Sequence, residues 1–180
     1  DTAELNDVYV RLLRAATSAR LTDEAYEQAC RDAADLPADD MSYFAQMQRG
    51  NALSHRTWLQ LNEKRHRMRL AWDAFFEEYD LMLCPVAVTA AFPHDQAGLR
   101  HKRTIVVNNR KVPVVDQIFW AGYAGVTLLP ATAAPIGLTR EGLPVGVQII
   151  GRQYGDNECI RFARLLEKEY RSFEPPPAYR

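Results

Sequence analysis

The sequence predicts a fold built from both helices and strands, with the helices first, the strands later and one helix at the end. Three observations carry this expectation. Apolar residues recur at helical spacing through the first eighty positions. From residue 81, short apolar runs bounded by turn signals replace that periodicity. After "REG" (140–142), the clearest turn present, "LPVGVQIIG" is apolar continuously rather than alternately, as in a strand covered on both faces.

Leu5, Val8, Leu12 and Ala16, flanked by Tyr9 and Leu13, mark a first helix. In "LTDEAYEQACRDAADLP", Thr22 or Asp23 can cap a second and Pro37 stops it. After a break at Gly50-Asn51, a long helix is expected from Ser54 to about Tyr79, with Trp58, Leu61, Met68, Trp72, Phe75 and Tyr79 along one side. "LMLCPVAV" (81–88) reads as a buried strand, and "TIVVNNRKVPVV" as a hairpin turning near Asn109-Arg110. "DQIFWAGYAG" is a short helix with Asp116 as its cap, and "LPATAAPIGLT" pairs across "REG" with the covered strand. "DNECIRFARLLEKEY" closes with a helix capped by Asp156, its stripe formed by Cys159, Ala163, Leu166 and Tyr170. The chain thus divides into a helical segment (1–80), a sheet-forming part (81–170) and a tail (171–180).

Only four or five strands are in sight, yet central strands need neighbours on both sides. Part of the sheet is therefore expected from elsewhere. Gly146 sharpens the point: a glycine inside a strand costs about 0.5–1 kcal/mol against Ala. Something is expected to lie close to it, on an element outside these residues.

At 180 residues the chain is long enough for one good-sized domain, and 47% hydrophobic and 25% charged residues are ordinary for a globular protein. A formal net charge of −1 argues against a dedicated binder of nucleic acid or of an anionic membrane. The basic run "KRHRMR" (64–69) admits a phosphate-binding reading, but acidic residues bracket it and favour a solvated helix face. Cys30, Cys84 and Cys159 are few, odd in number and without a CxxC pair, which points to a reducing, cytoplasmic setting. No apolar run approaches the roughly 20 residues of a membrane helix. The opening "DTAELNDVYV" carries no signal pattern, and its lack of an initiator Met points to a shortened or processed piece.

Chemistry is sparse. Ser18, Ser42, Ser54 and Ser172 lack the flanking glycines that expose a catalytic hydroxyl beside an oxyanion hole. Cys84 is a nucleophile only if a base and a positive setting lower its pKa, and its surroundings are apolar. His94-Asp95, with His101 nearby, sits in loop-like sequence and matches no metal-ligand spacing. Lys64, Lys102, Lys111 and Lys168 lie in charged, surface-type stretches. No glycine-rich phosphate loop, metal site or cofactor site is apparent, so catalytic, metal and cofactor residues are all expected to be absent.

Three stretches together resemble the C-terminal part of the amidase signature enzymes. They are "YDLMLCPVAVTAAFPHD" (79–95), "LPATAAPIGLT" (129–139) and "EGLPVGVQIIGRQYGDNECIRFARLLE" (141–167), with Gly-Leu-Pro-x-Gly-x-Gln at 142–148 the most specific element. The resemblance implies an α/β fold with a mixed central sheet wrapped in helices, and hydrolysis of a small-molecule amide through a Ser–cis-Ser–Lys triad. Those three residues belong to a glycine- and serine-rich N-terminal signature that is not in this sequence, so no catalytic residue carries over. By matching motif positions, Val86, Val115, Ile118, Phe119 and Gly122 would face the substrate pocket. Gly125-Val126-Thr127-Leu128 departs from the family's usual Asn-x-x-Gly, leaving plain core packing open for the same residues. Ile118, Phe119 and Trp120, if they line that pocket, favour an apolar or aryl acyl group over a charged one.

The resemblance thus implies a fragment that is inactive alone, whose partners are the N-terminal half of a parent enzyme and a small amide, with self-association expected from an unpaired sheet edge. A glutamine-dependent transamidase on tRNA is the alternative within the family. A free-standing binding or assembly module is the alternative outside it.

Overall fold

A computed structural model describes residues 1–175; the end of the expected tail, 176–180, lies outside the described residues. Six α-helices and five strands are present among them. The helices are α1 (Thr2–Thr17), α2 (Asp23–Asp35), α3 (Tyr43–Asn51), α4 (His55–Glu78), α5 (Ile118–Thr127) and α6 (Asp156–Glu169). The strands are β1 (Leu81–Pro85), β2 (Thr104–Val107), β3 (Arg110–Pro113), β4 (Ala131–Leu138) and β5 (Pro144–Gly151).

Four of the helices start on a side chain that accepts from orphan amides, as helix N-termini require. Asp1 caps α1, Thr22 caps α2, Ser42 caps α3 and Ser54 caps α4. The other two helices depart from the sequence reading. Asp116 is not a cap: it lies in a 3-10 turn, Val114–Gln117, that runs into α5, and α5 has no side-chain cap. Asp156 is the first residue of α6 rather than its cap, where its charge still complements the helix dipole. Gly50-Asn51 forms the last turn of α3 rather than a break.

The helical core joins Leu5, Val8 and Leu12 of α1 to Leu61 of α4 and Val126 of α5, with Trp58 and Met68 packed beside them. Val10, off the predicted stripe, is also fully buried. The reason is that α1 is covered on several sides, packing against α3 as well as α4 and α5. Further along α4, Trp72 and Phe76 join a second cluster around Cys84, Ala124, Leu129 and Ile150. Tyr79 ends that helix half-exposed, stacked on Phe75.

β5 is the centre of a three-stranded sheet ordered β1-β5-β4, and β2-β3 form a separate hairpin. Every pairing is antiparallel, so the mixed character implied for the sheet is not displayed by these five strands. Tight reversals join β2 to β3 and β4 to β5, and tight reversals produce antiparallel neighbours. The first reversal falls one residue earlier than expected, on Asn108 and Asn109, both with positive φ. In the second, Thr139 Oγ1 accepts from the amides of Glu141 and Leu143, and Gly142 supplies φ 83°. Among the described residues, β1 and β4 each lack a second strand partner.

Under the sheet, Cys159, Phe162, Ala163 and Leu166 of α6 pack on Ala134 and Ile149. Tyr170 does not complete that stripe; it follows the helix and is largely exposed. Gly146 has close neighbours within the chain itself. A Cβ there would stand 3.2 Å from the Ala134 carbonyl oxygen and 3.4 Å from a Val86 methyl. Gly151 is tighter still, because a Cβ would fall 2.7 Å from Cys159 Sγ.

Candidate functional site

The residues with intrinsic reactivity are committed to structure. Ser42 and Ser54 are helix caps, Ser18 donates to the Ala15 carbonyl, and Ser172 is exposed just beyond α6. Cys84 is buried in β1, and loss of water pushes its thiol pKa up, the opposite of what a nucleophile needs. Gln148, the last residue of the Gly-Leu-Pro-x-Gly-x-Gln element, explains much of this corner. Its Nε2 donates to Cys84 Sγ at 3.2 Å and to the Trp120 carbonyl at 3.0 Å, tying β5 to β1 and α5.

His94 and Asp95 lie exposed in the loop between β1 and β2. The Arg103 guanidinium organises that loop, donating to the carbonyls of Asp95, Gln96, Ala97 and Gly98. His101 leaves the pair and packs on Phe44, ring centroids 4.8 Å apart. Among the described residues, no group of three or more His, Cys, Asp or Glu is placed to hold a metal ion, and no helix is long and apolar enough to cross a membrane. The basic run of α4 is partly satisfied on the helix itself. Arg67 pairs with Glu63 and Arg65 donates to Asn62, while Lys64 reaches Glu4 of α1 at 2.8 Å and holds that carboxyl below its usual range.

One cavity of about 390 Å³ opens between α1, α3, the segment after β1 and the start of α5. Its apolar wall is Met41, Val88, Val115, Ile118 and Phe119. Asn6, Tyr43, Gln46 and Asp116 supply its polar groups. Tyr43 is held by Arg14, whose Nη2 donates to the phenol oxygen. Gln46 is 3% exposed, yet its carboxamide has no hydrogen-bond partner among the described residues. Asp116 stands exposed at the rim, where the flanking protein excludes water from one side and pushes its carboxyl above the ordinary range. A second cleft, of about 560 Å³ between the end of α4 and α6, is less suited to a ligand, because its Arg152 and Glu158 already pair at 2.7 Å.

Of the five residues assigned to a pocket from sequence, the structure brings Val115, Ile118 and Phe119 to this one cavity. Val86 lies elsewhere, partly exposed against Gly146. Gly122 is one turn further along α5 and packs on α1: a Cβ there would meet the Tyr9 ring at 2.6 Å. Trp120 turns into the core with Cys84 and Ile150. The sequence reading missed Met41, Val88 (two residues beyond Val86) and all four polar residues. Asn6 and Gln46 ride on helices whose apolar stripes hide them, and Asp116 was spent on a cap that does not form.

These elements, a helical layer over a small antiparallel sheet backed by α6, define an α/β chain with the fold of solved amidase signature enzymes. A bacterial aryl acylamidase of the amidase signature family superposes on 98% of this chain and 37% of its own, with a TM-score of 0.66 at 18% identity. A second amidase crystal structure covers 92% of this chain and 35% of its own, with a TM-score of 0.63 at 19% identity. In sequence, the profile of the Amidase family matches residues 5–160. The chain belongs to the amidase family. It is 29% identical over 125 residues to an indoleacetamide hydrolase of Bradyrhizobium diazoefficiens, covering 66% of this chain and 21% of that protein. It is also similar to a component of the mitochondrial glutamyl-tRNA(Gln) amidotransferase of Mus musculus. There the identity is 32% over 97 residues, which is 54% of this chain and 17% of the relative. The chain therefore spans about a fifth of the length of these relatives.

Proposed function

We propose that these residues form the C-terminal scaffold and part of the substrate pocket of an enzyme that hydrolyses a small-molecule amide, and that they are inactive alone. The observation that carries the reading is the family match over residues 5–160 in a chain whose described serines are caps or surface groups. On this reading the acyl-enzyme chemistry belongs to a Ser–cis-Ser–Lys set on an N-terminal half that pairs with this one. Val115, Ile118 and Phe119 contribute an apolar wall for one side of the amide. Three free cysteines suit a reducing cytoplasm. The bare strands β1 and β4 offer edges on which the N-terminal half, or a second copy, adds strands.

Ammonia release from short aliphatic, aryl and amino-acid amides tests this directly. No turnover by the 180-residue chain and turnover by the parent are expected; turnover by the chain alone would overturn the division of labour. Several relatives are components of glutamyl-tRNA(Gln) amidotransferases, which supports glutamine-dependent transamidation as a second reading. It requires that the parent consume glutamine and pass the ammonia to an acyl acceptor on tRNA, whereas the hydrolase releases it to water.

A further inference from the structure

Three polar side chains line the cavity beside α5 with no protein partner among the described residues: Asn6, Gln46 and Asp116. Gln46 is the most informative: the residue is almost buried, yet its carboxamide is not shut off and lines the cavity without a protein partner among the described residues. With a ligand-sized space in front of it, that open amide is a group an occupant can hydrogen-bond in place of water. Asp116 adds a carboxylate that forms no ion pair among the described residues, and loss of water raises its pKa. Arg14, the basic group in contact with this lining, is engaged with Tyr43. Around these polar groups the lining is apolar, and the volume of about 390 Å³ falls within the roughly 300–1,000 Å³ of small-molecule sites.

We propose that this cavity takes a ligand with a small apolar or aryl body and a protonated amine, the ammonium on Asp116 and the remaining polar contacts on Gln46 and Asn6. The proposal rests on the reading that the cavity is part of the amide-substrate pocket, and makes the substrate of the parent an amine-bearing amide. It revises the expectation of an uncharged group. A purely apolar occupant would cover the Gln46 carboxamide without pairing it and leave the Asp116 charge unanswered, which is costly. An anionic occupant would add repulsion. An ammonium donates up to three N–H groups, and charge-assisted hydrogen bonds to a carboxylate are stronger than neutral ones.

Benzylamine, benzyl alcohol and benzoate share one body and differ in charge, so titrating each into the full chain by calorimetry tests the site. Benzylamine is expected to bind tightest, about tenfold or more above benzyl alcohol, with benzoate weakest. Asp116→Asn should bring benzylamine down to the level of the alcohol, while Gln46→Leu should weaken both. Circular dichroism confirms that each variant is folded, and the rim position of Asp116 makes its change the safer of the two. Equal affinity for amine and alcohol, no binding of the amine, or an amine preference that survives in folded Asp116→Asn would each overturn the proposal. Ammonia release by the parent decides the amidase reading and probe binding decides the cation site, so either can fail while the other stands.

Discussion

The centre of the sheet and the cavity beside α5 treat polar groups in opposite ways. At the sheet, Gln148 serves two acceptors, Cys159 Sγ reaches the Pro130 carbonyl, and Ile149 and Ile150 are fully buried between them. At the cavity, Gln46, Asn6 and Asp116 stand without protein partners among the described residues. A scaffold gains stability by closing every hydrogen bond, whereas a binding site must leave some open for its ligand. The difference divides the chain by role more sharply than its division into helices and strands does.

The largest effect should come from the closed region. Ile149→Ala removes a side chain with no exposed surface and should cost about 2–5 kcal/mol, read by urea unfolding. Phe119→Ala truncates a larger side chain, but one that already borders open space, and should cost clearly less. Equal losses would mean that the cavity wall is as tightly packed as the sheet, and the contrast would fail.

Gly151→Ala comes next. Its new Cβ would fall 2.7 Å from Cys159 Sγ, and overpacking of this kind costs about 1–3 kcal/mol. Cys159→Ala in the same chain removes the obstructing sulfur, so the double variant should lose less than the sum of the two changes. Strict additivity would show that the Gly151 backbone shifts away instead.

That pair also shows what the sequence could and could not reveal. Gly146 drew notice because it interrupts an apolar run, yet its Cβ position meets only a carbonyl at 3.2 Å and a methyl at 3.4 Å. Within β5 the glycine under the greater pressure, Gly151, sits at the strand's end, where a glycine looks like ordinary turn chemistry. Helix positions were legible because capping and the 3.6-residue period are local signals, and Thr22 and Ser54 act as their positions imply. The cavity was legible only on its apolar side. Val115, Ile118 and Phe119 follow one another in sequence, but Asn6 and Gln46 reach the same space from helices far away in the chain. No local pattern marks a polar residue whose partner is missing.

A smaller effect is expected at Gln148. Gln148→Leu keeps the volume but leaves the Trp120 carbonyl without that donor, which should cost about 1 kcal/mol. Cys84 should at the same time become easier to alkylate, because β1 loses its side-chain tie to β5. Alkylation unchanged from the unmodified chain would show that backbone pairing alone holds the strand.

Asp116→Asn should have the smallest effect, and its sign is the sharpest test of the contrast. The folded carboxyl titrates above its ordinary value, near 3.9 in an unfolded chain. Between those two values the folded state binds more protons than the unfolded one, so stability falls as pH rises through that window and stays reduced above it. Asparagine carries no charge to desolvate. The variant should therefore gain slightly in Tm relative to the unmodified chain as pH rises from about 3 to 7, with the difference set mostly across that window. A relative loss of Tm over the same range would mean that the ionised carboxylate already has a stabilising partner in the protein. Asp116 would then belong with Gln148 among the closed groups, and the cavity would have no unmet charge to offer a ligand.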